Sequence, residues 1–306
     1  GERRAAEHAA AQLLRQKRRK FAPLRHMPDK FRQPAQRLVE RVKHRQFDRQ
    51  DPGVLPAMTR DEALEVTRIH SVVGLLSRER PLIDSRPFRS PHHSASVAAI
   101  VGGGPGPRPG EATLAHRGVL FLDELPEFQR PVLEALRQPL EDGEIAVARV
   151  GGRAVFPARF QLVASMNMCP CGERGDAGAD CQCSAQRLAA FREKLSRALL
   201  DRFDVVVALP RPRAAELGGA AGEPSSAVAG RVAAARRRLA GRRLERTEPA
   251  TALLDRAVER LPLSGRGRAR VARVARTVAA LAEAEAVDQE HVAEALAYRS
   301  PRELAQ

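Results

Sequence analysis

The stretch Gly118–Phe128, GVLFLDELPEF, determines how the rest of this 306-residue chain is interpreted. Its four apolar residues, Val119–Leu122, predict a buried β-strand, because a short continuous apolar run suits a strand that is covered on both faces. The strand ends in two adjacent carboxylates, Asp123 and Glu124. Because a buried strand fixes its own end in space, Asp123 could hold Mg²⁺ on nucleotide phosphates and Glu124 could polarise an attacking water. Taken alone, the pattern also fits a strand that simply leaves the core at polar residues.

A polar residue at the end of a second apolar strand favours the catalytic interpretation. The run Phe160–Ser165 predicts this strand, and Asn167 follows it. Since the carboxyl ends of parallel strands meet at one edge of a sheet, the Asn167 amide could orient water beside Asp123 and Glu124.

Two arginines later in the chain occupy positions that suit a ring-forming ATPase. Arg202 precedes a third predicted strand, Asp204–Leu209, where such an enzyme presents an arginine to its neighbour's nucleotide. Arg266 lies at the start of a helix, from which it could fold back on the phosphates. Either arginine alone also fits an ordinary surface residue.

The remaining pattern predicts an α/β domain followed by a helical one. Helices are expected at Asp61–Leu76, capped by Thr59, and from Pro126 to about Gln138; a β-hairpin is expected at Glu144–Phe156, and a loop at Arg86–Gly110. Continuous apolar strands with helices between them indicate a parallel sheet covered on both faces.

A break rich in Pro, Gly and Ala at Pro210–Gly230 is predicted to separate the two domains. Beyond it the pattern is helical, with Ser264 capping one helix and Asp288 capping another, Gln289–Tyr298. We therefore expect an α/β domain over residues 52–210 and a helical domain over residues 211–306.

The net charge of +15 is concentrated at the start of the chain. Residues 1–50 contain 15 Lys and Arg and 5 Asp and Glu, which gives +10 of that total. A solvated basic arm and a nucleic-acid-binding arm both fit this composition. With no Trp and one Tyr, base stacking on aromatic side chains is not expected as the main mode of binding.

No apolar run is long enough to span a membrane, and no secretory signal is visible, so a cytoplasmic location without membrane partners is expected.

All four cysteines fall within one window of 15 residues, in the pattern C-x-C-x9-C-x-C. They are Cys169, Cys171, Cys181 and Cys183. In a cytoplasmic protein this clustering favours a structural metal, and four thiolates suit tetrahedral Zn²⁺. Reduced thiols without metal and a redox role remain open, because C-x-C is tighter than the usual C-x2-C. The nearby pair His92-His93 is expected to make loop hydrogen bonds, since adjacent side chains in an extended chain point apart.

Six long stretches of the chain resemble the ComM/YifB family, which belongs to the Mg chelatase-like branch of the AAA+ ATPases. They are RPFRSPHHSAS (86–96), VGGGPGPRPGEATLAHRGVLFLDELPEF (101–128), LEALRQPLEDGEI (133–145), PARFQLVASMNMCPCG (157–172), LLDRFD (199–204) and LSGRGRARVARVARTVAALA (263–282). The resemblance runs from about Pro52 to Tyr298. It implies a three-layer AAA+ P-loop-type α/β core with a parallel sheet, followed by an all-helical lid.

The resemblance also implies roles for single residues. Asp123 matches the Walker B carboxylate that binds Mg-ATP, and Glu124 matches the catalytic glutamate. Asn167 matches sensor 1, Arg202 the arginine finger that acts in trans, and Arg266 sensor 2.

The hairpin matches the pre-sensor-1 insertion, which faces the ring pore in related motors. Arg149 and Arg153 flank its turn and could contact DNA phosphates there.

At the level of the whole protein, the resemblance implies ATP and Mg²⁺ as cofactors, a hexameric ring, and DNA branch migration during natural transformation. Two alternatives stay open. One is a non-hydrolysing DNA-binding or ring-assembly protein, and the other is the motor subunit of a metal chelatase.

The chain contains no Walker A motif, G-x-x-x-x-G-K-[ST], which the resemblance places just upstream of Pro52. None of its five lysines follows Gly or precedes Ser or Thr; they are Lys17, Lys20, Lys30, Lys43 and Lys194. The strand before the P-loop and the family's N-terminal protease-like domain are not recognisable either. We therefore expect a truncated, fused or frameshifted gene, with residues 1–51 out of frame or disordered, and a chain that by itself is defective in ATP hydrolysis.

Overall fold

A computed structural model describes residues 53–299, apart from 105–106, 150–151, 175–179, 210–222, 242 and 262. The basic segment 1–51 and most of the break at Pro210–Gly230 lie outside these described residues. The first described helix, α1 (Arg60–Val72), begins at the predicted cap: Thr59 and Glu62 form a reciprocal capping box. The helix is shorter than predicted, and Gly74 at φ 73° lies in the turn that follows it.

In the described part of the chain, the central sheet has three parallel strands, in the order β1 (Phe88–Arg89), β2 (Val119–Leu122) and β5 (Gln161–Ala164). Leu120 pairs with Leu162, and Leu122 pairs with Ala164. All four residues of β2 are buried, because the strand lies in the middle of the sheet with helices packed around it. The parallel sheet and the helical region that follows it confirm the predicted α/β fold class with a helical C-terminal part.

The segment Arg86–Gly110 was predicted to be a loop, and that prediction is wrong in part. It contains the short strand β1 and the helix α2 (Val97–Val101); a further short helix, α3 (Glu111–Leu114), follows it. Ser96 caps α2 by accepting a hydrogen bond from the Ala99 N–H. A strand of two residues that includes an arginine has no apolar run, so hydrophobic periodicity could not reveal it.

The single helix predicted from Pro126 to Gln138 is instead three short pieces. They are a 3₁₀ helix (Leu125–Glu127), α4 (Arg130–Ala135) and α5 (Arg137–Asp142). The backbone is extended at Phe128, which separates the first piece from the second. Gly143, at φ 73°, ends α5 in the left-handed conformation that favours glycine.

The predicted hairpin is present. β3 (Glu144–Arg149) pairs antiparallel with β4 (Gly152–Pro157), and Arg149 lies opposite Gly152. Residues 150–151 of its turn are outside the described part of the chain.

The third predicted strand, Asp204–Leu209, is not a strand in the structure. The Val206 N–H instead donates to the carbonyl oxygen of Tyr298 at 2.8 Å, and 46% of the Val205 surface is exposed. Among the described residues, no strand pairs with the edge of β5 that faces away from β2. In the fold implied by the resemblance, the strand that carries the P-loop lies inside the sheet.

Two further helices of the first region are α6 (Ala185–Glu193) and α7 (Arg197–Leu200), and the described residues of the second region contain four helices. The four are α8 (Ser225–Gly241), α9 (Glu248–Arg260), α10 (Gly265–Leu281) and α11 (Gln289–Ala297). Their apolar faces form a core of their own around Leu254, Val271 and Val292. Ser264 and Asp288 cap α10 and α11 as predicted. Within the described residues, none of the helices has both the length and the apolar composition that crossing a bilayer requires.

Candidate functional site

The carboxyl ends of the three parallel strands meet at one edge of the sheet. His92 and His93 follow β1, Asp123 and Glu124 follow β2, and Asn167 follows β5. In open α/β sheets this edge is where ligands bind. The sequence predicted the residues after β2 and β5 at this edge, but it gave no role to the two histidines.

Asp123 is exposed and is held from the neighbouring strand end. Its Oδ1 accepts hydrogen bonds from the hydroxyl of Ser165 and, at 3.1 Å, from the backbone N–H of Glu124. The backbone ladder continues beyond the strands, with the Ser165 N–H donating to Leu122 O at 3.0 Å and the Leu125 N–H donating to Ser165 O at 2.9 Å. Ser165 therefore orients the carboxylate predicted to bind Mg²⁺, a contact that the sequence did not reveal.

Glu124 has a backbone conformation that few non-glycine residues adopt, with φ 53° and ψ 49°. This turn directs the chain from β2 into the 3₁₀ helix and leaves 64% of the Glu124 side chain exposed. The carboxylate lies 3.4 Å from the Nδ1 of His93. Left-handed backbone in a non-glycine residue is concentrated at functional sites, which fits the catalytic role predicted for Glu124.

The two histidines do not point apart, so that expectation is wrong. The rings of His92 and His93 lie with centroids 4.0 Å apart, and His93 also meets Phe128 edge-on at 6.4 Å. The chain turns at His93 instead of continuing β1, which brings adjacent side chains to the same side. His92 does make the expected loop hydrogen bonds: its Nδ1 lies 2.8 Å from the Ser94 hydroxyl and accepts from the Ser94 N–H at 3.3 Å.

Asn167 is exposed, two residues beyond the serine that contacts Asp123. Its side chain lies against Gly172: a Cβ placed on that glycine would be 3.6 Å from the Asn167 Nδ2. Gly172 itself has φ 81° and belongs to the loop that carries the cysteines.

The four cysteine sulfurs form one cluster, in which every pair of Sγ atoms is within 4.8 Å. Cys169 is fully buried and the other three are exposed or half-buried. Burial opposes ionisation of Cys169, but hydrogen bonds from Cys171, Cys181 and the Arg174 N–H outweigh it and lower the pKa of this thiol to about 6. The cluster is thus a possible metal site.

The two predicted arginines meet at a carboxylate that the sequence did not single out. Arg202 Nη2 and Arg266 Nη1 both donate to the same Oε1 atom of Glu141, at 2.5 Å and 2.8 Å. Only 7% of the Arg202 side chain is exposed, whereas 75% of Arg266 is exposed. No hydrogen bond or ion pair between described residues joins either arginine to Asp123 or Glu124. The structure therefore brings the carboxylates together at one site and the arginines together at another.

Basic residues of the helical region hold the turn that carries Arg202. Arg299 donates to Phe203 O at 3.2 Å and to Asp201 Oδ1 at 3.3 Å. Arg270 donates to Asp201 O and lies 3.8 Å from the Asp204 carboxylate. These contacts tie the position of the first region's arginine to the second region.

The hairpin arginines occupy opposite strands beside the turn. Arg153 is exposed on β4, whereas only the backbone of Arg149 is described.

The donors at the sheet edge define what this site can do. A carboxylate oxygen that is exposed and oriented by Ser165 fits Mg²⁺, which binds through one or two carboxylates together with substrate phosphates. The Glu124 carboxylate next to it is exposed and can accept a proton from water. These two carboxylates fit metal-assisted phosphoryl transfer better than covalent catalysis.

Two family models match the chain. The model described as magnesium chelatase, subunit ChlI, matches residues 47–217, and the model described as magnesium chelatase, subunit ChlI C-terminal, matches residues 222–299.

Curated proteins of similar sequence include an uncharacterized protein of Mycobacterium tuberculosis (strain ATCC 25618 / H37Rv), which is 47% identical over 81% of this chain and 53% of its own length. Competence protein ComM of Haemophilus influenzae is 42% identical over 83% of this chain and 53% of its own length. The uncharacterized protein YifB of Escherichia coli (strain K12) is 41% identical over 81% of this chain and 52% of its own length. The chain spans about half the length of the curated relatives it matches.

Proposed function

The chain belongs to the magnesium chelatase ChlI family, and from that premise we propose that it is the motor module of a ComM-type, ATP-driven DNA-remodelling protein. In this proposal the module works in a hexameric ring and moves branched DNA during natural transformation. The name of the Haemophilus influenzae relative, competence protein ComM, supports this biological setting.

The observation that carries the proposal is the carboxylate pair at the end of β2. Asp123 would hold Mg²⁺, which neutralises charge on the nucleotide phosphates. Ser165 keeps the Asp123 carboxylate oriented through its hydroxyl. Glu124 would accept a proton from the attacking water, and Asn167 would orient that water from the neighbouring strand end.

The arginine pair supports action between subunits. Arg202 and Arg266 share one acceptor oxygen on Glu141, so their guanidinium groups converge on a volume that one anion can fill. A phosphate oxygen could replace the carboxylate oxygen there, since arginine binds both in the same geometry. Because this site is separate from Asp123 and Glu124, we propose that both arginines serve the nucleotide of an adjacent subunit.

The printed sequence by itself lacks the groups that hold a triphosphate. Without a Walker A lysine and its glycine-rich turn, Mg²⁺ at Asp123 has no partner site for the β- and γ-phosphates. We therefore predict that the chain as printed binds Mg-ATP only weakly. Titration of the purified chain with a fluorescent ATP analogue in the presence of Mg²⁺ measures this, and saturable binding at micromolar nucleotide would refute it.

A non-hydrolysing DNA-binding or ring-assembly protein is the second candidate, and the missing P-loop lysine is the observation that favours it. DNA-stimulated ATP turnover by the motor module once it has a P-loop would exclude this candidate. The same experiment separates DNA remodelling from a metal-chelatase motor subunit, which would respond to a tetrapyrrole-loading partner and not to DNA.

A further inference from the structure

The loop between β5 and α6 brings all four cysteines of the chain to one point. The Sγ atoms of Cys169 and Cys171 lie 3.2 Å apart, those of Cys171 and Cys181 3.6 Å, and those of Cys181 and Cys169 3.7 Å. Cys183 completes the set, with every pair of sulfurs within 4.8 Å. The two C-x-C pairs are nine residues apart in sequence, so only the fold of the loop makes them neighbours.

These distances fit a common metal ion better than disulfide bonds. Bonded sulfurs are about 2.05 Å apart, and all four cysteines are free. Four sulfurs around one Zn²⁺ at about 2.3 Å would lie about 3.8 Å from one another. Two of the three distances are close to this sulfur–sulfur separation. All four sulfurs also lie in one cluster, whereas disulfides would join them in two separate pairs.

The backbone around the first pair is shaped to surround a thiolate. The Arg174 N–H donates to Cys169 Sγ at 3.4 Å, and the Gly172 N–H donates to Cys169 O at 3.1 Å. The φ of 81° at Gly172 turns the chain between Cys169 and Arg174, and the Arg174 amide reaches the Cys169 sulfur. Hydrogen bonds of this kind stabilise metal-bound ligands from outside the coordination sphere.

We propose that Cys169, Cys171, Cys181 and Cys183 bind one structural Zn²⁺ that closes the loop between β5 and α6. Four thiolates leave no open position for substrate, which is the arrangement of a structural zinc and not of a catalytic one. The observations that support this zinc site do not depend on the nucleotide chemistry proposed above.

The ion would stabilise a segment with few other constraints. Between β5 and α6, no described residue belongs to a helix or a strand, and Cys169 is the most buried of them. The free energy of metal binding then becomes folding free energy for the loop. Since Gly172 packs against Asn167, the metal would also hold Asn167 in place; this last step rests on the proposed function.

The first test is the metal content of the full chain, purified without chelator and measured by inductively coupled plasma mass spectrometry. We expect about one zinc per chain, in the stoichiometry of a closed four-cysteine site. Native mass spectrometry of the same sample should show the mass of one zinc and no loss of hydrogens to disulfides. Absence of zinc from folded protein, a content of iron in its place, or two disulfide bonds would each overturn the proposal.

The second test uses Cys171→Ser and Cys183→Ser, with Met168→Leu in the same loop as the matched control. Neither of these two cysteines is buried, so both variants should fold. Each should lose more than about tenfold in zinc affinity, since loss of even an outer-shell partner of a ligand costs about 10–100-fold. Each should also lose hydrogen-exchange protection in the loop. The Met168→Leu control should keep its zinc affinity and its hydrogen-exchange protection. Retention of full zinc by Cys171→Ser would contradict the four-cysteine zinc site.

Discussion

Glu141 places one carboxylate oxygen where two arginines from distant parts of the sequence meet. Arg202 is nearly buried there, and its Nε has no hydrogen-bond partner among the described residues. The carboxylate is therefore the main compensating charge for a guanidinium that is largely removed from water, and such a charge is costly to leave alone. We hypothesise that Glu141 occupies the place of a phosphate until a neighbouring subunit supplies one.

Replacing Glu141 by Gln should destabilise the fold by about 1–3 kcal/mol, because the nearly buried Arg202 guanidinium loses its compensating charge. Arg266→Gln removes the exposed partner and should cost less than about 1 kcal/mol. Urea unfolding at neutral pH measures both. Arg268→Gln, which breaks the exposed pair with Asp255, is the matched control for a surface ion pair. Equal losses for Glu141→Gln and Arg268→Gln would contradict the role given to Glu141.

The positions of site residues could be predicted from the sequence where those residues follow an apolar strand. They could not be predicted where the contact partner lies far away in the chain. Asp123 directly follows one apolar run, and Asn167 lies close to the end of another. Because the carboxyl ends of parallel strands meet at one edge of a sheet, both residues were expected at that edge. The contacts of His93 and Ser165 depend on how β1 and β5 flank β2, and the sequence does not state that order. Glu141 lies 125 positions from Arg266, a separation at which no local pattern can indicate a contact.

At the scale of elements, Gly118 allows β1 and β2 to pair. The Val119 N–H donates to Pro87 O at 2.8 Å, and a Cβ placed on Gly118 would lie 1.9 Å from the same oxygen. That separation is impossible between nonbonded heavy atoms, so glycine is required here by close approach of the backbone. The pairing also positions His93 beside Glu124.

Gly118→Ala should therefore destabilise the protein by more than about 3 kcal/mol, in the range of severe overpacking in a core. Gly230→Ala is the matched control, because Gly230 lies exposed in α8 with nothing within 4 Å of its added Cβ. That variant should gain about 0.5–1 kcal/mol from the higher helix propensity of alanine. Thermal unfolding of both variants tests the argument, and a Gly118→Ala protein as stable as the parent would show that β1 pairs differently.

The predicted boundaries of helices and strands were wrong where backbone geometry, and not the hydrophobic pattern, determined the structure. The helix expected after Pro126 is divided by extended backbone at Phe128, and nothing in the apolar spacing marks that residue. Asp204–Leu209 has the composition of a strand, yet a strand exists only where a neighbour supplies hydrogen bonds. Capping residues were predicted well because the cap is a local interaction: Thr59, Ser264 and Asp288 each lie where their hydrogen bonds are needed.

For the whole molecule, the hairpin is the element through which DNA binding can be tested. The double variant Arg149→Glu and Arg153→Glu should weaken binding of branched DNA by at least about tenfold. The slope of log affinity against log salt concentration should fall by the amount expected for about two lost phosphate contacts. Fluorescence anisotropy at several salt concentrations measures both. Arg243→Glu is the matched control, since Arg243 is also exposed but lies between α8 and α9. Unchanged affinity and salt slope in the double variant would remove the hairpin from the DNA-binding surface.

At the scale of the whole molecule, the proposed nucleotide site is incomplete. The residues proposed as Walker B, sensor 1 and the two arginines are present, whereas no Walker A motif occurs in the printed sequence. Among the described residues, the outer edge of β5 has no strand beside it. Both observations lead to the same expectation: supplying the missing strand and P-loop should complete the sheet and the site.

The most direct measurement is ATP hydrolysis by residues 53–299 placed behind the P-loop strand of a complete family member. This chimera should bind Mg-ATP and hydrolyse it, and Glu124→Gln should lower turnover at least about 100-fold while leaving nucleotide affinity unchanged, as expected for removal of a general base. Glu127→Gln, which alters only an exposed pair with Lys194, should hydrolyse ATP like the parent. A folded chimera that binds Mg-ATP but shows no turnover, or turnover that survives Glu124→Gln, would contradict the central claim.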